Sequence, residues 1–226
     1  MSRPGRVVAI MAKVPVAGRA KTRLIPRLGA EHAAMLYQQM LLDTIDLVME
    51  ALDGQGAVSI ICPTAEHRRV LVTIVPDHVM VVAHERGDLM GGLDFGLTSH
   101  LKEGYTQVLL FNGDSPTLPA DYLRSAFDRL AGHNVVLGPT LDGGYYLIGA
   151  CRPQPALFQW EALDSATLCR QTRARAESAG ARVAMLPSWY DVDTPEDLDH
   201  LISDLRRHSG GAIRTRRFLQ EGNTDA

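Results

Sequence analysis

Four cationic side chains, Lys13, Arg19, Lys21 and Arg23, crowd into the stretch KVPVAGRAKTRL directly after the apolar run VVAIMA. A loop that leaves a strand and heads for a helix can point backbone N–H groups at an anion, and lysines and arginines complete a phosphate cradle. Lys13, Pro15, Gly18, Arg19, Lys21, Thr22 and Arg23 are therefore candidate nucleotide- and phosphate-binding positions, with Gly18 permitting close backbone approach. The glycine spacing fits neither the dinucleotide fingerprint nor the Walker loop, so charge alone carries this reading, and a solvated basic loop is the plain alternative.

Carboxylates come next, at three places. In FNGDSPTLP, Asp114 stands just past an apolar run and Gly113 frees the backbone, a setting that suits Mg²⁺, which takes one or two protein carboxylates together with phosphate oxygens; a turn-supporting Asp is the other reading. In DVDTPEDL, Thr194, Pro195 and Asp197 are explained as a helix start. Asp191 and Asp193 are not, and two acids before the positive end of a helix make sense beside a cation. In GPTLDGGYYLIGA, a hairpin accounts for Gly143 and Gly144 without requiring Asp142. Asp142, Gly143, Gly144 and Tyr145 are the candidate acceptor positions. The segment ERGDLMGGLDFGL places Gly87, Asp88 and Gly91 before a helix, a costly composition unless a ligand or backbone packs closely, with a nucleobase or sugar as one candidate. Trp160 and Trp189 could flank a cleft, although buried aromatics are the simpler reading.

These residues need a scaffold. A chain of 226 residues, 46% hydrophobic and 22% charged, suits one α/β domain, read here as residues 1–207 with a tail from 208 to 226. A net charge of −3 argues against a nucleic-acid coat. The three cysteines form no C-x-x-C pair, so neither a disulfide framework nor a zinc site is expected, and they fit reduced thiols of a cytoplasmic protein. No stretch reaches the roughly eighteen apolar residues of a membrane span. A homodimer is a candidate assembly, although the sequence does not reveal the oligomeric state. Apolar, β-branched runs begin at Arg6, Ala57, Val79, Gln107 and Asn134, as expected for strands covered on both faces. Helical periodicity occupies residues 31–52, 65–72, 89–101, 119–130, 165–178 and 195–205. The alternation predicts a Rossmann-like, doubly wound, predominantly parallel sheet flanked by helices, with the ligand beyond the carboxyl ends of the strands. The tail reads as a frayed end, or as a small docking helix around AIRTRRFLQ.

With these segments in order, the chain resembles the nucleotide-diphospho-sugar transferase superfamily of GT-A type, and within it the DUF2064 proteins usually labelled glycosyltransferases. The likeness runs from Val7 to about Leu205 and rests on MAKVPVAGRAKTRLIPRLG, GDSPTLP, GPTLDGGYYLIG and DVDTPEDL. The chain is also similar to phospholactate guanylyltransferase, which has a like AKTRL and a like DVDTPEDL but a Gly-Gly-Thr-Asn type segment in place of DGGYYLIG. The resemblance implies that Lys21 and Arg23 bind nucleotide phosphates and act in catalysis, and that Asp114 and Asp193 hold Mg²⁺ or Mn²⁺. It implies two possible reactions: glycosyl transfer from a nucleotide sugar to a small acceptor, with Asp142 as the base, or nucleotidyl transfer from a nucleoside triphosphate to an acidic or phosphorylated small molecule, which needs no base. The family's label puts glycosyl transfer narrowly ahead. GDSP lacks the D-x-D triplet common in glycosyltransferases and the dense basic loop suits a triphosphate; both favour nucleotidyl transfer. A nucleotide-binding regulator is disfavoured because Asp114, Asp142 and Asp193 are all present.

Overall fold

The structure is a computed structural model that describes residues 5–159 and 164–221. Trp160 lies outside the described residues. The apolar runs become β1 (Arg6–Met11), β2 (Gly56–Cys62), β3 (Met80–Ala83), β4 (Gln107–Asn112) and β5 (Val135–Pro139), and the segment after the glycine turn becomes β6 (Tyr145–Ala150). A three-residue strand, β7 (Val183–Met185), is too short to leave a periodic signal in the sequence. Among the described residues, the seven strands form one sheet in the order β3-β2-β1-β4-β6-β5-β7. All neighbours run parallel except β6, which is antiparallel to both β4 and β5, so the sheet is predominantly parallel as the sequence predicts.

The helices are α1 (Ile25–Leu28), α2 (Ala30–Leu52), α3 (Ala65–Leu71), α4 (Leu89–Lys102), α5 (Ala120–Leu130), α6 (Leu168–Ser178), α7 (Pro195–Arg207) and α8 (Ile213–Glu221). Strand side chains alternate between two apolar layers. Val8 and Ile10 of β1 join Leu41, Ile45 and Phe127 of α2 and α5, whereas Val7 and Ala9 join Leu93, Leu97 and Cys169 of α4 and α6. Covering both faces is why these strands lack polar alternation, and each fully buried Val, Leu or Ile contributes about 1.5–3 kcal/mol.

A third cluster joins α2, α7 and α8. Of the two forms the sequence allows for residues 213–221, the structure has the helix. Buried Asp43 of α2 accepts the backbone N–H groups of Arg214 (3.1 Å) and Thr215 (2.7 Å), which places a carboxylate on the first, otherwise unpaired donors of α8. The Arg214 guanidinium also pairs with Asp43 and Asp46.

Candidate active site

β1 and β4 lie side by side with Met11 opposite Asn112, and strand order diverges from this pair, with β2 and β3 on one side and β6, β5 and β7 on the other. The crevice beyond the carboxyl ends of strands at such a switch point is where ligands bind in open α/β sheets. The basic loop leaves β1 here and GDSPTLP leaves β4, so chain connectivity brings the two together.

The segment Tyr190–Asp193 is laced to the β4 loop. Ser115 Oγ donates to the Tyr190 carbonyl (2.9 Å) and the Val192 N–H donates to the Asp114 carbonyl (3.2 Å). Asp197 anchors the far end of this segment. Its Oδ2 accepts the N–H groups of Asp193 (3.0 Å) and Thr194 (2.7 Å), while Thr194 Oγ1 accepts the Asp197 N–H (3.3 Å). The capping box that starts α7 therefore also sets the backbone of Asp193.

Lys21 joins the two acids. Its Nζ lies 2.6 Å from Asp114 Oδ2 and 2.7 Å from Asp193 Oδ1, with the lysine side chain 5% exposed. Lys21 has φ 47° and ψ 47°, a left-handed backbone that costs a non-glycine residue about 1–2 kcal/mol. Tyr37 of α2 supports this arrangement from below: its hydroxyl accepts the Lys13 N–H (3.0 Å) and its ring centroid stands 5.6 Å from Lys21 Nζ. Burial alone would lower the pKa of the Lys21 ammonium, but the adjacent charges of Asp114 and Asp193 outweigh it and hold the pKa above its ordinary value. Burial likewise works to raise Asp193, and Lys21, then Arg23 and Lys13, hold it below the usual carboxylate range.

A cavity of about 550 Å³ opens over this cluster. Of the expected positions, Lys13, Arg19, Lys21, Thr22, Arg23, Gly87, Asp88, Asp114 and Asp193 line it. Lys13, Arg19 and Arg23 are exposed and, among the described residues, have no carboxylate within ion-pair distance, so their charge faces the opening. Pro15, Gly18 and Gly91 do not line the cavity; Gly18 turns the loop at φ 76°, and the Gly91 N–H bonds to Asp88 Oδ1 (2.7 Å) as part of the cap of α4. Asp142, Gly143, Gly144 and Tyr145 also lie off it. Asp142 Oδ1 accepts Thr140 Oγ1–H (2.5 Å) and the Gly144 N–H (3.1 Å), while Tyr145 packs with the apolar layer beneath α6. Trp189 does not line this cavity either; it stacks on Tyr190 and meets Tyr122 edge-on. The sequence reading missed Tyr37 and His84, which do line it. Tyr37 sits at core spacing in a long helix and left no signal; His84, a polar end to the run VMVVAH, did.

Asp191 connects the two regions. Burial and the charges of Asp114, Asp193 and Asp142 push its carboxyl up to about 7. A carboxylate whose folded pKa is raised keeps its proton in the native state while the unfolded chain has lost it, so stability falls as pH climbs from about 4 toward 7 and is level beyond. The Asp191→Asn variant has no such proton to lose. Its melting temperature should gain on the parent across that window, with a free-energy slope of at most about 1.4 kcal/mol per pH unit, and the gain should be constant above it. Matched thermal melts from pH 4 to 9 check this, and a pH-independent difference would contradict it.

The acids also fit a divalent cation. Asp114 Oδ1 and Asn112 Oδ1 are buried oxygens with no hydrogen-bond partner in the structure. Among the described residues no group of three or more His, Cys, Asp or Glu could hold a metal by itself. Two carboxylates with remaining positions left to phosphate oxygens and water is the donor set Mg²⁺ favours.

A sequence profile described as an uncharacterized protein conserved in bacteria, DUF2064, matches residues 47–162. The chain belongs to the DUF2064 family. The DUF2064 protein is 32% identical over 184 residues to the 3-phospho-D-glycerate guanylyltransferase of Phenylobacterium zucineum, covering 79% of this chain and 82% of the relative. It is 31% identical over 213 residues to the phosphoenolpyruvate guanylyltransferase of Conexibacter woesei, covering 89% and 90%. A structure from Desulfovibrio desulfuricans G20, provisionally named a nucleotide-diphospho-sugar transferase, superimposes with a TM-score of 0.83 at 28% identity over 99% of this chain and 96% of that one. The manganese complex of Rv0371C from Mycobacterium tuberculosis H37Rv shares the fold, with a TM-score of 0.53 at 20% identity over 88% and 98%. With the cavity, these likenesses make the DUF2064 protein a nucleotide-using transferase. They also reverse the order of the two reactions reached from the sequence, because the named relatives are guanylyltransferases. No described helix of the DUF2064 protein is long and apolar enough to cross a membrane.

Proposed function

We propose that this protein is a nucleotidyltransferase that moves a nucleoside monophosphate, guanylate by the example of its relatives, from a nucleoside triphosphate to a small phosphorylated acid. The observation that carries the reading is one cavity lined both by Asp114 and Asp193 and by Lys13, Arg19 and Arg23, which among the described residues make no ion pair. An acceptor phosphate oxygen attacks the α-phosphorus, the bond to the β-phosphate breaks and pyrophosphate leaves. Lys13, Arg19 and Arg23 hold the triphosphate and neutralise charge building on the departing pyrophosphate, and Lys21 stands among them. Asp114 and Asp193 would hold Mg²⁺ or Mn²⁺, which supplies Lewis-acid stabilisation of the phosphoryl oxygens. Gly87 and Asp88, at the far side of the cavity, face the nucleoside end. An acceptor phosphate is already ionised, so no base is required. Asp142 then shapes the acceptor turn with Gly143 and Gly144 rather than taking a proton, consistent with its Oδ1 being bound within that turn.

The test is a product assay with Mg²⁺ present. Incubation with GTP and 3-phosphoglycerate or phosphoenolpyruvate should release pyrophosphate, and GTP should be preferred over ATP, CTP and UTP. Release of nucleoside diphosphate from a nucleotide sugar, without pyrophosphate from any triphosphate, would establish the glycosyl reading instead.

A further inference from the structure

Lys21 does more here than a phosphate-binding lysine needs to. Its ammonium sits between one oxygen of Asp114 and one of Asp193, at 2.6 and 2.7 Å, and is nearly sealed from solvent, whereas Lys13, Arg19 and Arg23 on the same loop are exposed. The ammonium thus stands where a cation bridging the two carboxylates would stand. A dication cannot share those oxygens with a fixed ammonium, because like charges so close in a poorly solvated site repel strongly. Nor can the ammonium simply be expelled, since a buried cation stripped of its counter-charges needs another anion.

We propose that Lys21 is a resident counter-ion that closes the Asp114–Asp193 pair to free metal, so that the site accepts a divalent cation only together with a polyphosphate chain that takes Lys21 over. The inference rests on the reading of Asp114 and Asp193 as metal ligands. Metal and polyphosphate then bind with positive coupling, each making room for the other. The backbone of the loop is suited to the shift: Gly18 and Lys21 both have left-handed φ, and residues 22–24 form a short 3-10 turn with no side-chain cap at its start.

The test is equilibrium dialysis of Mn²⁺, with bound metal counted per protein, on the parent protein and on Lys21→Met and Lys21→Arg. The parent should retain little Mn²⁺ by itself, and at the same free-metal concentration should retain at least tenfold more when inorganic tripolyphosphate is added. Lys21→Met removes the charge at similar length and should bind Mn²⁺ without polyphosphate at least tenfold more tightly than the parent, while Lys21→Arg, which keeps the charge, should behave like the parent. Parent protein that takes up Mn²⁺ equally with and without tripolyphosphate would overturn the proposal, and this arm does not depend on how any variant folds. So would equal Mn²⁺ affinity in the parent and a folded Lys21→Met protein, or a gain in Lys21→Arg as large as in Lys21→Met. If this binding pattern is found but GTP and a phosphorylated acid give no pyrophosphate, the proposed reaction fails and the role of Lys21 stands.

Discussion

Asp114→Asn should reduce nucleotidyl transfer by about 10²- to 10³-fold while leaving the protein folded. Asp114 is the acid at the end of β4; its Oδ2 is bound to Lys21 and its Oδ1 is buried with no hydrogen-bond partner. An amide at this position offers one neutral oxygen in place of two anionic ones. It weakens the grip on a divalent cation, and it leaves Lys21 held by Asp193 alone. Under the proposed reading the loss should appear in kcat, because the cation acts on charge that appears only as the bond breaks, and the KM for the nucleotide should rise with it, because metal and polyphosphate bind with positive coupling. Steady-state pyrophosphate release at saturating Mg²⁺, compared with circular dichroism and a thermal melt of the same preparation, separates this from a folding defect. A folded Asp114→Asn protein with parental kcat would remove Asp114 from the chemistry.

Gly143→Ala is expected to destabilise the protein by about 2–4 kcal/mol. Gly143 has φ 99°, where an L side chain is strained, and a Cβ there would lie 2.2 Å from the carbonyl oxygen of Ala166. That oxygen belongs to backbone and has no rotamer to adopt. The Gly143 carbonyl also accepts the Cys169 N–H (2.9 Å) at the start of α6, so the turn cannot back away without losing a bond that satisfies an N–H of the first helical turn. Urea unfolding would show the loss as a lower midpoint at an unchanged slope. A midpoint equal to that of the parent would mean that the Asp142–Gly144 turn is not packed on residues 166–169 as described.

Much of this architecture was legible because of what burial requires. Strands covered on both faces must be apolar throughout, so β1 to β5 announced themselves, and the loops after β1 and β4 stood out through the abrupt return of charge in AKTRL and GDSP. Proximity was harder to see. Lys21 is 93 residues from Asp114 and 172 from Asp193, and no periodicity spans such distances; only the switch point between β1 and β4 brings them together. The capping residues of DVDTPEDL were readable as such, but not that Asp197 also fixes the backbone of Asp193. Tyr37 occupied a core position in a helix like any other. The choice between glycosyl and nucleotidyl transfer was beyond reach of residue types, since the same acids and bases can serve both, and an Asp before Gly-Gly reads equally as a base or as a turn residue.

The reversed strand β6 has a wider consequence. By running against its neighbours it returns its beginning, and with it the Asp142–Gly144 turn, to the rim where β1 and β4 end, yet it hangs that turn from β5 and the segment before α6. Under the function proposed above, the triphosphate would be held by the loops after β1 and β4 and the acceptor met by this turn, with the Trp189–Asp193 segment touching both sides through the Thr140–Trp189 bridge and the Ser115–Tyr190 bond. On that proposal, remodelling one hairpin would change the choice of acid while leaving the basic loop after β1 untouched, as a workshop changes the jig and keeps the press.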